Sequence, residues 1–295
     1  MPLITRKEAL RRISISTVAA TVPFSLKSSN QIQDVSTLYY QLNGNINHSV
    51  CKWCYPNVPF EQLCETAQEY GLQSIELLEP EEWIFIQKYN LTCAMANGSP
   101  LGITQGFNDP NNHEQLFKDF SARIPSASDL GIKNIICFSG NRYGISDESG
   151  LNHCAKGLEP VVKLADKYGM TVCMELLNSK VDHPDYQCDH TSWGVKLVDA
   201  LGLDNFKLLY DIYHMQIMEG DIISTITANK DYIAHYHTGG VPGRAEIDKS
   251  QELNYEAIMN AIVSTGFKGY VAQEFVPKKQ DPLASLREGI LICDV

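Results

Sequence analysis

From about Leu38 onward the chain alternates short apolar runs with amphipathic stretches, and this alternation restricts the fold more than any other feature. Strand-like runs cover Asn45 to Val50, Ser74 to Leu78, Leu91 to Ala96, Asn134 to Ser139, Thr171 to Leu177, Lys207 to Ile212, Ile233 to His237 and Tyr270 to Phe275. Helical spacing recurs between them at Phe60 to Tyr70, Glu114 to Leu130, Leu158 to Tyr168, Trp193 to Leu201 and Tyr255 to Ser264. Gly71, Gly131, Gly169 and Gly266 follow four of these helices just before the next strand, where a left-handed residue ends a helix. Eight strand-helix units in 295 residues predict an α/β fold, a single-domain (β/α)8 TIM barrel. Barrels of this kind fill roughly 250 residues. The competing fold, a doubly wound open sheet, carries a G-x-G-x-x-G after its first strand, and none is present.

In a barrel the chemistry sits at the C-terminal ends of the strands. Four side chains fall there: Glu175 in MTVCMELLN, Asp211 in FKLLYDIYH, His237 in YIAHYHTGG and Glu274 in GYVAQEF. Strands of a parallel sheet are buried on both faces, so an ionised carboxylate within such a run must be paired or metal-bound. One such residue reads as a structural ion pair. Three on separate strands, with an imidazole between them, read as a shared site for a divalent cation.

A net charge of -11 and a pI near 5.2 argue against a surface that neutralises many phosphates, and so against a nucleic-acid partner. With 44% hydrophobic residues the chain can bury a sizeable core. Cys93, Cys137 and Cys173 lie inside apolar runs, which favours reduced, structural thiols among the nine cysteines. Cys51 and Cys54 form a C-x-x-C with no second pair at zinc-ribbon spacing, and are expected as neighbours at the barrel mouth. Residues 1–33 read as an N-terminal extension, with 34–295 as the barrel. In the extension, Thr5-Arg6-Lys7-Glu8-Ala9-Leu10-Arg11 resembles a twin-arginine export signal with Lys in the second basic place. The apolar stretch that follows, Ile13 to Leu26, is too short and too rich in Ser and Thr to remain in a bilayer. A working signal places the protein in the periplasm, and a silent one leaves it in the cytoplasm.

Several longer motifs accompany the four residues: Met174-Glu175-Leu176-Leu177-Asn178, Asp211-Ile212-Tyr213-His214-Met215-Gln216, His235-Tyr236-His237 with Val241-Pro242-Gly243-Arg244, then Glu252-Leu253-Asn254-Tyr255 and Gln273-Glu274-Phe275. With these motifs the chain resembles the xylose-isomerase-like TIM barrels, a superfamily of hydroxypyruvate isomerases, ketose 3-epimerases and endonucleases of the endonuclease-four type. The D-x-x-H-x-Q element and the P-G-R followed by E-x-N-Y look most like hydroxypyruvate isomerases. The resemblance implies that Glu175, Asp211, His237 and Glu274 hold one divalent metal ion, Mg or Mn, with Glu175 and Glu274 also the proton-transfer pair. It implies a metal-dependent isomerase of sugar or hydroxy-acid metabolism. His237 departs from the glutamine that hydroxypyruvate isomerases can carry at the third ligand and matches the ketose epimerases.

The leading expectation is therefore proton transfer between adjacent carbons of a small hydroxycarbonyl compound through an enediolate, as in hydroxypyruvate to tartronate semialdehyde. Epimerisation of a ketose at C3 is the alternative. Phosphodiester hydrolysis needs further His and acidic ligands and a basic approach surface. A non-catalytic sugar-binding barrel would have no need of four costly buried polar groups. For substrate binding the candidates are His214, Arg244 as a carboxylate clamp, His183, Asn178 and Gln216, with His48 and Lys52 placed at the first strand's mouth. The partner is a small hydroxycarbonyl or sugar molecule, and a homo-oligomer is compatible with the sequence. Fused to a reporter, residues 1–33 should direct it to the periplasm of a suitable host. Cytoplasmic retention, whether Arg6 and Lys7 are kept or changed, would contradict the signal reading.

Overall fold

A computed structural model of the chain describes residues 41–295, so the signal-like segment lies outside the described residues. Seven strands are present: β1 (Asn47–Cys51), β2 (Ser74–Glu76), β3 (Asn134–Cys137), β4 (Thr171–Glu175), β5 (Phe206–Asp211), β6 (Ile233–Thr238) and β7 (Tyr270–Gln273). They pair in parallel in the order β2-β1-β7-β6-β5-β4-β3. The helices are α1 (Phe60–Glu69), α2 (Pro80–Gln87), α3 (His113–Asp129), α4 (Asp147–Lys167), α5 (Thr191–Leu201), α6 (Ile212–Met218), α7 (Ile222–Ala228), α8 (Tyr255–Ser264) and α9 (Pro282–Cys293). The expected glycine stops hold: Gly71 after α1 has φ +78° and Gly131 after α3 has φ +79°.

The eighth expected strand, Leu91 to Ala96, is not a regular strand. It spans the gap between β2 and β3 through isolated parallel bridges, Thr92 to Ser74 and Ala96 to both Leu78 and Ile135. Side chains take some of its backbone partners: Ala94 N–H donates to Ser74 Oγ at 2.8 Å, and Asn134 Nδ2 donates to Ala94 O at 2.9 Å. The ladder is interrupted, yet the segment still links the two edges of the sheet, and the whole forms a single domain of TIM-barrel type.

Strand side chains alternate, so residues two apart share a face. Below Glu175, Asp211 and His237 this places Cys173, Leu209 and His235 on the inward face. Cys173 and Leu209 pack there with Met95 and Ile136 as a small inner core, separate from the larger one between sheet and helices. The polar cluster at the strand ends thus stands on an apolar plug.

All nine cysteines are free and buried, as the apolar runs suggested. Burial pushes thiols such as Cys51, Cys137 and Cys188 up, which keeps them protonated and unreactive. A thiol reagent at pH 8 should therefore label the native protein slowly and all nine positions after denaturation. Rapid native labelling at Cys51 or Cys54 would contradict this packing.

Candidate active site

Glu175 and Asp211 are the last residues of β4 and β5, His237 is the penultimate residue of β6, and Glu274 directly follows β7. All four are buried, and one ligand atom from each lies within 4.8 Å of the others. His237 Nδ1 lies 2.7 Å from Glu274 Oε2 and 3.3 Å from Glu175 Oε1. Both Nδ1 and Glu175 Oε1 are nevertheless buried without a hydrogen-bond partner. Unsatisfied polar atoms converging on one point, mostly oxygen with one imidazole, could hold a metal ion.

The charge balance supports the same conclusion. Burial pushes the Asp211 carboxyl up to about 8 against the pull of Arg244, and burial also raises Glu175. Glu274 moves the other way: burial is outweighed by Arg244 and His237, which hold it well below the usual carboxylate range. Burial acts to lower His237, but Glu274, Cys51 and Glu175 together drive it well above the ordinary imidazole value. Three carboxylates this close cannot all be charged cheaply without a further cation.

Arg244 is the counter-charge from the protein. Its Nη2 donates to Asp211 Oδ2 at 2.9 Å and to Glu274 Oε2, and its Nε donates to Glu274 O at 3.2 Å. The guanidinium lies 5.2 Å from the Trp53 ring and 5.4 Å from the Tyr213 ring. Its loop is tightly drawn in. Gly240 bridges Ala245, and a Cβ on Gly240 would stand 2.2 Å from Glu246 O, so no larger residue fits. Tyr255 of the E-x-N-Y motif accepts from Gly239 N–H and donates to Gly239 O, both at 2.8 Å.

His214 is fully buried on α6, whose first turn is capped by the Asp211 side chain accepting from His214 N–H at 3.1 Å. Nδ1 accepts from Asn178 N–H at 3.2 Å, so the ring proton sits on Nε2. Nε2 lies 3.7 Å from Asp211 Oδ2 with no hydrogen-bond partner. Burial and Arg244 hold this imidazole well below its ordinary value, leaving it a neutral donor. Asn178 therefore orients His214. Its own side chain is set by accepting from Val181 N–H and Asp182 N–H.

His183 lines the cavity above the cluster, together with Glu175, Glu274 and Arg244. Gln216 does not: its amide donates to Glu252 Oε1 at 3.1 Å on an exposed face. Two residues beyond His214 on a helix is a turn of roughly 200°, which directs the side chain away. His48 lies near the start of β1, at the opposite end of the barrel from the mouth, 3.8 Å from Asp294. Lys52 is at the mouth but pairs with Glu82.

Two residues escaped the sequence reading. Trp53 Nε1 donates to Glu274 Oε1 at 2.8 Å. Glu76, the last residue of β2 and fully buried, accepts from His235 Nε2 at 2.8 Å and from His237 Nε2 at 2.9 Å. Glu76 thereby holds His237 with Nδ1 facing Glu175 and Glu274, an arrangement similar to the carboxylate support given to metal-binding imidazoles. Burial acts to raise its carboxyl, but the two imidazoles prevail and bring it down to about 2. The same signal marks it as marks Glu175, Asp211 and Glu274, an acid within an apolar strand run. It was hidden because the run was read through to Leu78.

A family model described as a xylose isomerase-like TIM barrel matches residues 64–292. The chain belongs to that family. Hydroxypyruvate isomerase of Escherichia coli is 31% identical over 170 residues, which covers 57% of this chain and 65% of that relative. An AP endonuclease, family 2, from Brucella melitensis superposes with TM-score 0.75 at 23% identity, covering 82% of this chain and 97% of that one. D-psicose 3-epimerase from Clostridium cellulolyticum H10 superposes with TM-score 0.68 at 18% identity, covering 85% and 100%. At such identities the two structures speak for the fold alone.

Glu76→Leu strands two buried imidazole donors and should lower stability by roughly 2–5 kcal/mol in urea unfolding of metal-free protein. Glu76→Gln keeps an acceptor oxygen and should cost clearly less. Equal stability of Glu76→Leu and the parent would remove Glu76 from this account.

Proposed function

We propose that this protein is an isomerase that moves a proton between adjacent carbons of a hydroxycarbonyl substrate, with hydroxypyruvate the first compound to assay. The observation that carries this reading is the placing of two glutamates, Glu175 and Glu274, on β4 and just after β7 around a common cluster with Asp211 and His237. The E. coli relative's name points the same way. Glu175, Asp211, His237 and Glu274 would hold a divalent cation, which supplies the electrophile for a developing enediolate.

The two glutamates divide the proton transfer. One takes the proton from the carbon bearing the hydroxyl, the other returns a proton to the former carbonyl carbon, and the hydroxyl proton passes to the former carbonyl oxygen so that the two groups exchange places. His214 Nε2–H donates to a substrate oxygen as negative charge builds on it. Arg244 keeps Glu274 ionised and hence able to act as a base. Trp53 fixes the other oxygen of the same carboxylate. Epimerisation of a ketose is the second reading, favoured by His237 as the ligand on β6. It differs in returning the proton to the opposite face of the same carbon, so the same two glutamates serve both.

Chelation should abolish turnover, and added Mn or Mg should restore it. Glu274→Gln keeps a ligand oxygen but cannot accept a carbon-bound proton, so Mn should still bind while turnover falls by ~10²–10⁴. Glu175→Gln should behave alike. Asp211→Ala should act through the metal, and excess Mn should recover part of its loss but none of the loss in the glutamate variants. Near-parental turnover by Glu274→Gln with Mn demonstrably bound would end the two-glutamate mechanism.

A further inference from the structure

The ligand residues occupy only one side of the barrel mouth. In ring order they come from β4, β5, β6 and the end of β7. The remaining side, built from the ends of β2, β3 and β4 and the loop before α3, contributes Leu77, Ile103, Ile136, Phe138 and Leu177 to the cavity, with Trp53 after β1. Apart from Glu175, Glu274 and Arg244, the polar side chains lining it are Asn97 and His183. The Asn97 amide nitrogen is already committed to Leu77 O at 3.1 Å and Glu79 Oε1 at 2.8 Å.

The cavity volume is about 380 Å³, within the ~300–1,000 Å³ of sites that enclose drug-sized ligands. A three-carbon oxo acid displaces roughly the volume of three to four waters, ~100 Å³ at about 30 Å³ each. Most of the cavity then lies beyond the reacting carbons, and most of that remainder is aliphatic or aromatic. A polyhydroxy chain there would give up water hydrogen bonds for few replacements, whereas an apolar substituent would lose nothing and be drawn out of water.

Resting on the proton-transfer reading above, we infer that the substrate class of this site is a hydroxycarbonyl compound carrying an apolar substituent beyond the reacting carbons. Hydroxypyruvate fills only the polar side. The test is deuterium incorporation next to the carbonyl, followed by NMR in D2O with the full chain and Mn, each rate corrected for the enzyme-free reaction. Hydroxypyruvate, erythrulose, 1-hydroxybutan-2-one and 1-hydroxyhexan-2-one are compared. Erythrulose and 1-hydroxybutan-2-one share a carbon skeleton and differ in tail hydroxyls. The expected kcat/KM is at least ~10-fold higher for 1-hydroxybutan-2-one than for erythrulose, and rises again by ~10-fold or more for the hexanone.

Erythrulose matching or exceeding 1-hydroxybutan-2-one, or no gain with tail length, overturns the inference. Exchange of hydroxypyruvate without exchange of either hydroxyketone overturns it too, while leaving the proposed function standing. Silence of all four compounds removes the proposed function and this inference with it. Phe138→Asn should lower the hexanone-to-hydroxypyruvate ratio by about tenfold. Because both rates come from one preparation, that ratio is insensitive to the fraction folded, and an unchanged ratio counts against the apolar wall.

Discussion

Three carboxylates meet at one buried point, and the surrounding structure answers the electrostatic demand this creates. Glu175, Asp211 and Glu274 are almost wholly removed from water, where an ionised carboxylate is stable only beside positive charge. Arg244 and His237 provide part of that charge, and they do so unevenly. Glu274, touched by both, is held ionised, while Asp211 and Glu175 are pushed toward the neutral form by burial. The cluster therefore holds unsatisfied polar atoms, and its two glutamates are shifted in opposite directions despite the same burial, because only Glu274 touches Arg244.

Keeping such a cluster in register requires rigid mounting. Each of the four residues stands at or just after the end of a different strand of a parallel sheet, so its backbone is tied to its neighbours. Asp211 caps α6, Glu76 grips the far nitrogen of His237, Asn178 fixes the tautomer of His214, and Trp53 holds Glu274. The Arg244 loop is secured by the bridge from Gly240 to Ala245 and by Tyr255. These supports come from elements scattered along the chain, from Trp53 to Tyr255, and each one removes a degree of freedom from the cluster.

The four clustered residues were legible because each interrupts an apolar strand run, where burying a charge is costly. The glycine stops and the helices over Phe60–Glu69 and Tyr255–Ser264 were legible for a local reason, since helix periodicity and the left-handed stop are properties of neighbouring residues. Glu76 was equally visible in kind but was assigned to mid-strand, because strand length is set by pairing with other strands. The same non-local dependence turned Leu91 to Ala96 into a bridged linker and put His48 at the wrong end of its strand. Gln216 lies two residues beyond His214, and the phase of α6 carries it to Glu252 instead of the cavity.

Local patterning, then, located seven of the eight expected strands and all five expected helices, and singled out Glu175, Asp211, His237 and Glu274 as costly groups to bury. Each of those follows from interactions within a few residues or from the price of dehydrating a charge. Assembly alone decided that His237 turns Nδ1 toward Glu175 and Glu274, that Arg244 spends its guanidinium on Asp211 and Glu274, and that the other side of the mouth is lined by Leu77, Ile136, Phe138 and Leu177. Those facts depend on side chains separated by tens to more than a hundred positions, whose meeting is fixed by the closure of the sheet.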